Sequence, residues 1–396
     1  MATVAFGQCV LYLPAVLGHM MLWVGVHNRL HALGIRQVYI ELCDKLAFLL
    51  ALLIPCGLLW LWYDVDRAGT PMSPAAQVAL SSYVGICWVA LIWGVPRWWK
   101  IRKAEGRCAS VQSHRTRDVR VDQRLGSRPV GDLLTKISVH IPGNQVFNLQ
   151  VSEKEIVLPR LPEQLDGMTI AHLSDLHLSG RILPPYFEAV VAETNSFHPD
   201  LIMIAGDIVD AEACIAWIPE IFGKLRSQCG AYFVLGNHDR RVPSPDAVRK
   251  AMSLCGMTDL GGRVQRISLR GVEIMLAGNE APWFYPVPEI PPMPDAGDGP
   301  FRLLLSHAPD QLPWARQNHF DLMLAGHTHG GQIRIPGLGP IISPSRFGIR
   351  YSDGTFCEPP TTMHVSRGVS ALHTLRFNCP PELAVLTLRC GSNAAL

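Results

Sequence analysis

Three long apolar stretches open the chain, at roughly Val4 to Val26, Leu46 to Tyr63 and Val78 to Val95. Each is close to the length at which a helix crosses a hydrocarbon core. The first is interrupted by Pro14 and His19, and the second is nearly free of polar groups. Trp60, Trp62 and Tyr63 at the end of the second, and Trp98 and Trp99 after the third, fit an interfacial aromatic belt. The first stretch lacks the positive start and small-residue cleavage site of a signal peptide. Three such runs this close together are unusual for a globular core. The pattern therefore predicts a transmembrane region over residues 1–99 with about three helices.

From about Val130 the pattern changes to short β-rich runs separated by turns. Ile137 to Ile141 and Gln145 to Val151 read as paired strands around Pro142-Gly143. Apolar strands follow at 168–173, 201–205 and 231–235, with helices expected at 185–195, 213–226 and 246–254. Val264 to Leu269 and Val272 to Ala277 read as a further pair, and Pro286 to Pro300 as an irregular loop. Strands at 303–305, 322–325, 362–365 and 383–388 complete the reading. Continuous apolar strands alternating with helices imply α/β sheets covered on both faces. In such folds function collects at the carboxyl ends of the strands.

Charge changes the picture in the middle of the chain. Only 17% of the 396 residues are charged, and the net charge is +2. The mean hydropathy of +0.17 fits a membrane segment joined to a soluble domain. Ten Lys and Arg residues fall between Arg97 and Arg128, against Arg29, Arg36 and Lys45 in the first loop and Arg67 in the second. The positive-inside rule then puts the N-terminus outside and everything after the third span in the cytoplasm, as a multi-pass protein of the cell inner membrane. Residues 100–129 read as a basic juxtamembrane linker attracted to anionic membrane lipids, and residues 130–396 as the catalytic domain. The 11 cysteines include no C-x-x-C pair, which argues against a disulfide framework and fits a reducing compartment. No basic stripe marks the catalytic domain, so no nucleic acid is expected as a partner.

Five polar motifs each follow an apolar run: Asp175-Leu176-His177, Gly206-Asp207 through Asp210, Gly236-Asn237-His238-Asp239, Ser306-His307 and Gly326-His327-Thr328-His329. Singly, each has an ordinary structural explanation such as a turn, a helix cap or a satisfied histidine. Five in order on strand ends outweigh that explanation. Carboxylates offset cation charge and imidazoles supply directional donors, so the set suits a pair of divalent metals. Gly206 lets the backbone turn tightly before Asp207, which is free to bridge both metals. Asn237 offers an amide oxygen, and His327 and His329 would serve one metal each. A metal pair activates water as hydroxide and polarises a phosphoryl group. His238 is placed to donate a proton to the leaving oxygen or to bind a phosphoryl oxygen, with Asp239 orienting it.

Over Met168 to Arg389 this ordered set resembles the calcineurin-like metallophosphoesterases. The resemblance implies a four-layer β-sandwich flanked by helices, with a dinuclear site at one edge. It implies one metal on Asp175, His177, Asp207 and His329, and a second on Asp207, Asn237, His307 and His327. His238 would be the catalytic histidine outside the ligand set. Segments around Gly330-Gly331, Arg367-Gly368 and Arg376 through Leu383 are similar to bacterial membrane-associated members, among them phosphodiesterases and UDP-diacylglucosamine pyrophosphatases. The expected activity is hydrolysis of a lipid-linked or nucleotide-linked phosphodiester or pyrophosphate, using two divalent ions of manganese, iron or zinc. Arg367 and Arg376 stand as either phosphate binders or packing residues. A phosphoprotein phosphatase and a non-hydrolytic metal-binding scaffold are the alternatives.

Overall fold

Side chains along a strand alternate between faces, so a run apolar at every position marks a strand covered on both sides. Leu201–Ala205 shows this directly. Ile202 and Ile204 pack among helices, while Leu201, Met203 and Ala205 pack in a second cluster between two sheets. The computed structural model describes residues 2–35, 37–68, 72–104, 108, 110–294, 299–371 and 373–391. It divides into two units, Met1–Glu105 and Gly106–Leu396.

The first unit holds three long helices, α1 (Ala2–Leu30), α2 (Gln37–Ala68) and α3 (Pro74–Ala104). Among the described residues, one helix is long and apolar enough to cross a membrane, Pro74–Lys103. The three-span reading thus has one helix behind it by length and composition. The side chains of Trp62, Tyr63, Arg67 and Arg107, on which part of the belt and charge reading falls, lie outside the described residues. His19, which interrupts the first apolar run, is satisfied inside the bundle. Its Nδ1 is 2.6 Å from the Tyr83 hydroxyl and its Nε2 is 2.9 Å from the Ala51 carbonyl.

The second unit begins with β1 (Val111–Arg120), α4 (Val121–Leu125), α5 (Leu133–Ser138) and β2 (Asn148–Leu158). Next come β3 (Thr169–Leu173), α6 (Pro184–Asn195), β4 (Leu201–Ala205), α7 (Trp217–Phe222), β5 (Ala231–Val234), α8 (Pro245–Leu254) and β6 (Thr258–Asp259). The remainder is β7 (Val264–Leu269), β8 (Val272–Asn279), β9 (Phe301–Ser306), α9 (Leu312–Gln317), β10 (Leu322–Ala325), β11 (Arg334–Ile335), β12 (Gly339–Pro340), β13 (Gly354–Glu358), β14 (Thr361–Val365) and β15 (Glu382–Cys390). One mixed sheet runs β1-β2-β15-β3-β4-β5-β6 and the other β13-β14-β10-β9-β8-β7, with β11 and β12 as a separate hairpin. Alternate residues of the two sheets meet in a shared apolar core. The outer face of the first sheet packs on α6, α7 and α8, and that of the second packs on α9. The result is helix, sheet, sheet, helix.

Four expectations give way here. Residues 137–151 are not a strand pair. Asp132 caps α5, accepting from Thr135 N at 2.9 Å and from Thr135 Oγ1 at 2.7 Å, and a cap of this kind starts a helix. The region 100–129 is not a linker throughout, because β1 pairs antiparallel with β2 along its whole length. Its arginines find acids of the fold: Arg117 and Arg124 pair with Glu193, and Arg120 and Arg128 pair with Asp122. The expected helix 213–226 is a short 3-10 turn, Glu212–Ala216, followed by the six-residue α7. Cys108 and Cys357 form a disulfide, so the cysteines are not uniformly free.

Candidate metal centre

All five motifs sit at the carboxyl ends of parallel strands, three after β3, β4 and β5 of one sheet and two after β9 and β10 of the other. The chain turns sharply at each. Among the described residues ten non-glycine positions have positive φ, and five of them are Asp175, His177, Asp207, His327 and His329. Only a few per cent of non-glycine residues take this conformation, with Asp and His among the more tolerant. Its concentration at one place is the backbone strain that functional sites carry. The loops hold one another in it. Asp175 N donates to Gly206 O at 3.0 Å, His177 N to Asp207 O at 2.9 Å and Gly326 N to His307 O at 2.8 Å. Glycine lets them approach: at Gly236 a Cβ would lie 2.2 Å from Asp207 Oδ1.

The side chains converge as two donor sets sharing Asp207. In the first, ligand atoms of Asp175, His177, Asp207 and His329 lie within 4.8 Å of one another. His177 Nε2 is 3.2 Å from His329 Nε2 and 3.7 Å from Asp207 Oδ2, and His329 Nε2 is 3.5 Å from Asp175 Oδ1. In the second, the atoms of Asp207, His307 and His327 lie equally close. His307 Nε2 is 3.3 Å from Asp207 Oδ1, 3.1 Å from His327 Nδ1 and 3.1 Å from Asn237 Oδ1. The structure therefore brings together all seven residues read as ligands.

These groups fit a pair of cations. Nitrogen and oxygen lone pairs face one another at close range, and Asp207 Oδ2 is buried with no hydrogen-bond donor. An isolated buried carboxylate is costly, whereas one on a metal is not. The outer nitrogens are already engaged. His177 Nδ1 lies 2.8 Å from Asp210 Oδ2 and His307 Nδ1 lies 2.7 Å from the Ala205 carbonyl, which directs each Nε2 inward. Burial disfavours the charged form of both rings. The carboxylates around them outweigh it and raise each to about 9, Asp210 leading for His177 and Asp207 for His307. Burial likewise opposes the Asp207 carboxylate, yet His307, His238 and His177 hold it well below the usual range. A cation in the same place supplies the positive charge those protons represent.

The acid that orients His238 is Asp210, not Asp239. Asp210 Oδ1 is 2.5 Å from His238 Nδ1, so one carboxylate holds His177 on one oxygen and His238 on the other. Asp239 points away from His238. It accepts from Ile208 N at 3.0 Å, Val209 N at 2.9 Å and Gly236 N at 2.8 Å, clasping two of the site loops. Its carboxyl is fully buried, and burial raises it to about 7. His238 has 15% of its side chain exposed and His329 has 14%, where His177 has none.

Comparison with known proteins agrees with this geometry. Residues 168–331 match the calcineurin-like phosphoesterase family. The chain is 32% identical over 247 residues to the uncharacterized metallophosphoesterase YkuE of Bacillus subtilis, covering 61% of this chain and 86% of that protein. The chain belongs to the calcineurin-like metallophosphoesterases. It is also similar to the phosphodiesterase YaeI of Escherichia coli, at 30% identity over 55% of this chain and 81% of that one. A zebrafish (Danio rerio) transmembrane protein with a metallophosphoesterase domain is 27% identical over 46% of this chain and 45% of its own length.

Two residues of this metallophosphoesterase carry more of the site than their sequence suggested. Arg376 is wholly buried, its guanidinium donating to the carbonyls of Arg367 at 2.8 Å, Ser370 at 2.5 Å and Cys379 at 3.3 Å. Its Nη2 also lies 3.5 Å from His329 Nδ1. It braces the loop behind Asp175, where Ser370 N donates to Asp175 O at 3.1 Å. Arg367 donates to Gln150 Oε1 at 2.8 Å and faces Glu382 at 3.5 Å, so both arginines act in packing. Trp283, buried beside His307 and His327 with ring centroids at 5.3 and 4.9 Å, walls the second donor set. A lone tryptophan after a proline gave no sign of this; proximity to the motifs exists only in three dimensions.

Proposed function

We propose that this chain hydrolyses a phosphodiester or pyrophosphate, using two divalent cations held by the two donor sets, at a membrane to which its N-terminal helices anchor it. The observation that supports the reading is the shared Asp207, which stands between two candidate donor sets. Two cations held there would supply charge for phosphoryl oxygens and acidity for a water molecule. The chain's own residues do the rest. Asp175, Asp207 and Asn237 supply oxygen, and His177, His307, His327 and His329 supply nitrogen. This mixed set suits manganese, iron or zinc. His238, gripped at Nδ1 by Asp210, presents Nε2 to hand a proton to the leaving oxygen. The name of the similar YaeI favours a diester over a monoester. The helix Pro74–Lys103 and the transmembrane zebrafish relative support the anchor. An anchored catalytic unit meets lipid-linked or nucleotide-linked esters at the membrane surface. The test is turnover of phosphomonoesters, phosphodiesters and pyrophosphates by the purified, manganese-loaded chain. Cleavage of diesters or pyrophosphates ahead of monoesters is expected; preference for phosphopeptides would make it a phosphoprotein phosphatase.

A further inference from the structure

In the second unit, nine of the eleven exposed large apolar side chains among the described residues lie on two short segments. One is α5 with the turn after it, where Leu133, Leu134 and Ile137 are exposed. The other is the β11–β12 hairpin and its flanks, which expose Ile335, Leu338 and Ile342. Both segments are stitched to residues 373–378 and so lie side by side. Ser138 Oγ is 2.7 Å from Thr374 Oγ1, and Asn144 Nδ2 donates to Thr374 O at 2.8 Å. Arg334 N donates to Phe377 O at 2.9 Å, and Gln332 Nε2 to His373 O at 2.5 Å. The metal centre adjoins them, because His329 opens the turn that leads into β11 and lies beside Arg376.

Single exposed apolar residues are ordinary, but a contiguous set beside a site marks a contact surface. The fold does not require these side chains, since α5 is started by Asp132 and its leucines face away from the core. Residues 131–145 and 332–350 contain one acidic residue, Asp132, whose carboxylate is taken by Thr135. They also contain Lys136, and Arg334, Arg346 and Arg350, which pair with Asp353, Asp310 and Glu358. A cluster of exposed apolar side chains whose charged neighbours are mostly paired with one another suits the interfacial layer of a bilayer. The tether selects that occupant. The membrane-length helix ends at Lys103, and Val111 is already in the first strand of the second unit. Those eight residues reach at most about 30 Å, so the unit stays at the membrane surface.

We propose that the α5 turn and the β11–β12 hairpin seat in the interfacial layer of a phospholipid bilayer and bring the His329 side of the metal centre to it. This rests on the reading of Pro74–Lys103 as a membrane span. The test uses the full chain in nanodiscs of phosphatidylglycerol and phosphatidylcholine, with photoreactive benzoylphenylalanine in place of Leu134, Ile335 or Leu254. Leu254 on α8 is the control, being 73% exposed against 78% for Leu134. Irradiation is expected to give phospholipid adducts at positions 134 and 335 and few at 254. No adducts at 134 and 335, equal adducts at all three, or adducts to protein instead of lipid would overturn the proposal. Turnover of a water-soluble chromogenic phosphodiester by the same discs reports separately on the proposed activity.

Discussion

Asp210 holds two histidines with one carboxylate, and this makes it the residue on which the ring positions of His177 and His238 depend. An amide in its place can accept on one side only. Asp210→Asn is expected to lower turnover by about 10- to 100-fold, the usual cost of losing an outer partner of a metal ligand. Steady-state kinetics with parallel metal analysis checks this; wild-type turnover would remove Asp210 from the site. Asp239 has a different task, satisfying three buried backbone amides. Asp239→Ala should cost about 1–3 kcal/mol for each amide left without an acceptor, read as a fall in melting temperature. Lost turnover at an unchanged melting temperature would return Asp239 to the orienting role its place beside His238 suggested. Proximity in sequence misled here because His238 reaches across to the loop after β4.

At the scale of elements, the buried strands were legible because their apolar runs are continuous, and the motifs mark where they end. The misread elements lacked that signal. β1 is an edge strand of polar residues paired on one side, and α5 wears its leucines outward. Also hidden was a polar group within the sandwich. His172 on β3 lies 3.0 Å from His364 on β14, and Lys154 bridges His364 and Glu382 at 2.9 and 3.2 Å. Burial holds the His172 ring neutral, lowering it to about 3. An unfolded histidine titrates near ~6.5. As pH falls below that value the unfolded chain takes up a proton the folded chain refuses. Stability should therefore fall with pH between about 6.5 and about 3, at up to ~1.4 kcal/mol per pH unit for one such ring. Urea midpoints measured across that range should show a shallower slope for His172→Gln than for wild type; identical slopes would contradict the buried neutral ring.

At the scale of the whole molecule, two observations bear on which side of a membrane the proposed anchor would place the catalytic unit. The basic run after Val95 favours the cytoplasm, although several of its arginines are paired within the fold. The Cys108–Cys357 disulfide is of a kind that persists in oxidising compartments. The positive-inside reading expects a C-terminal fluorescent-protein fusion to glow while an alkaline phosphatase fusion stays silent. The reverse pattern would move the unit to the other face and leave its chemistry intact. That chemistry depends on Asp207, where the two sheets and both donor sets meet. The direct test is metal content and phosphodiester turnover of Asp207→Ala beside wild type, both purified as the full chain and loaded with manganese. Two equivalents of metal and turnover in the wild type, with both lost in the variant, are the expected result. Unchanged metal content and unchanged hydrolysis in the variant would contradict the shared-carboxylate centre.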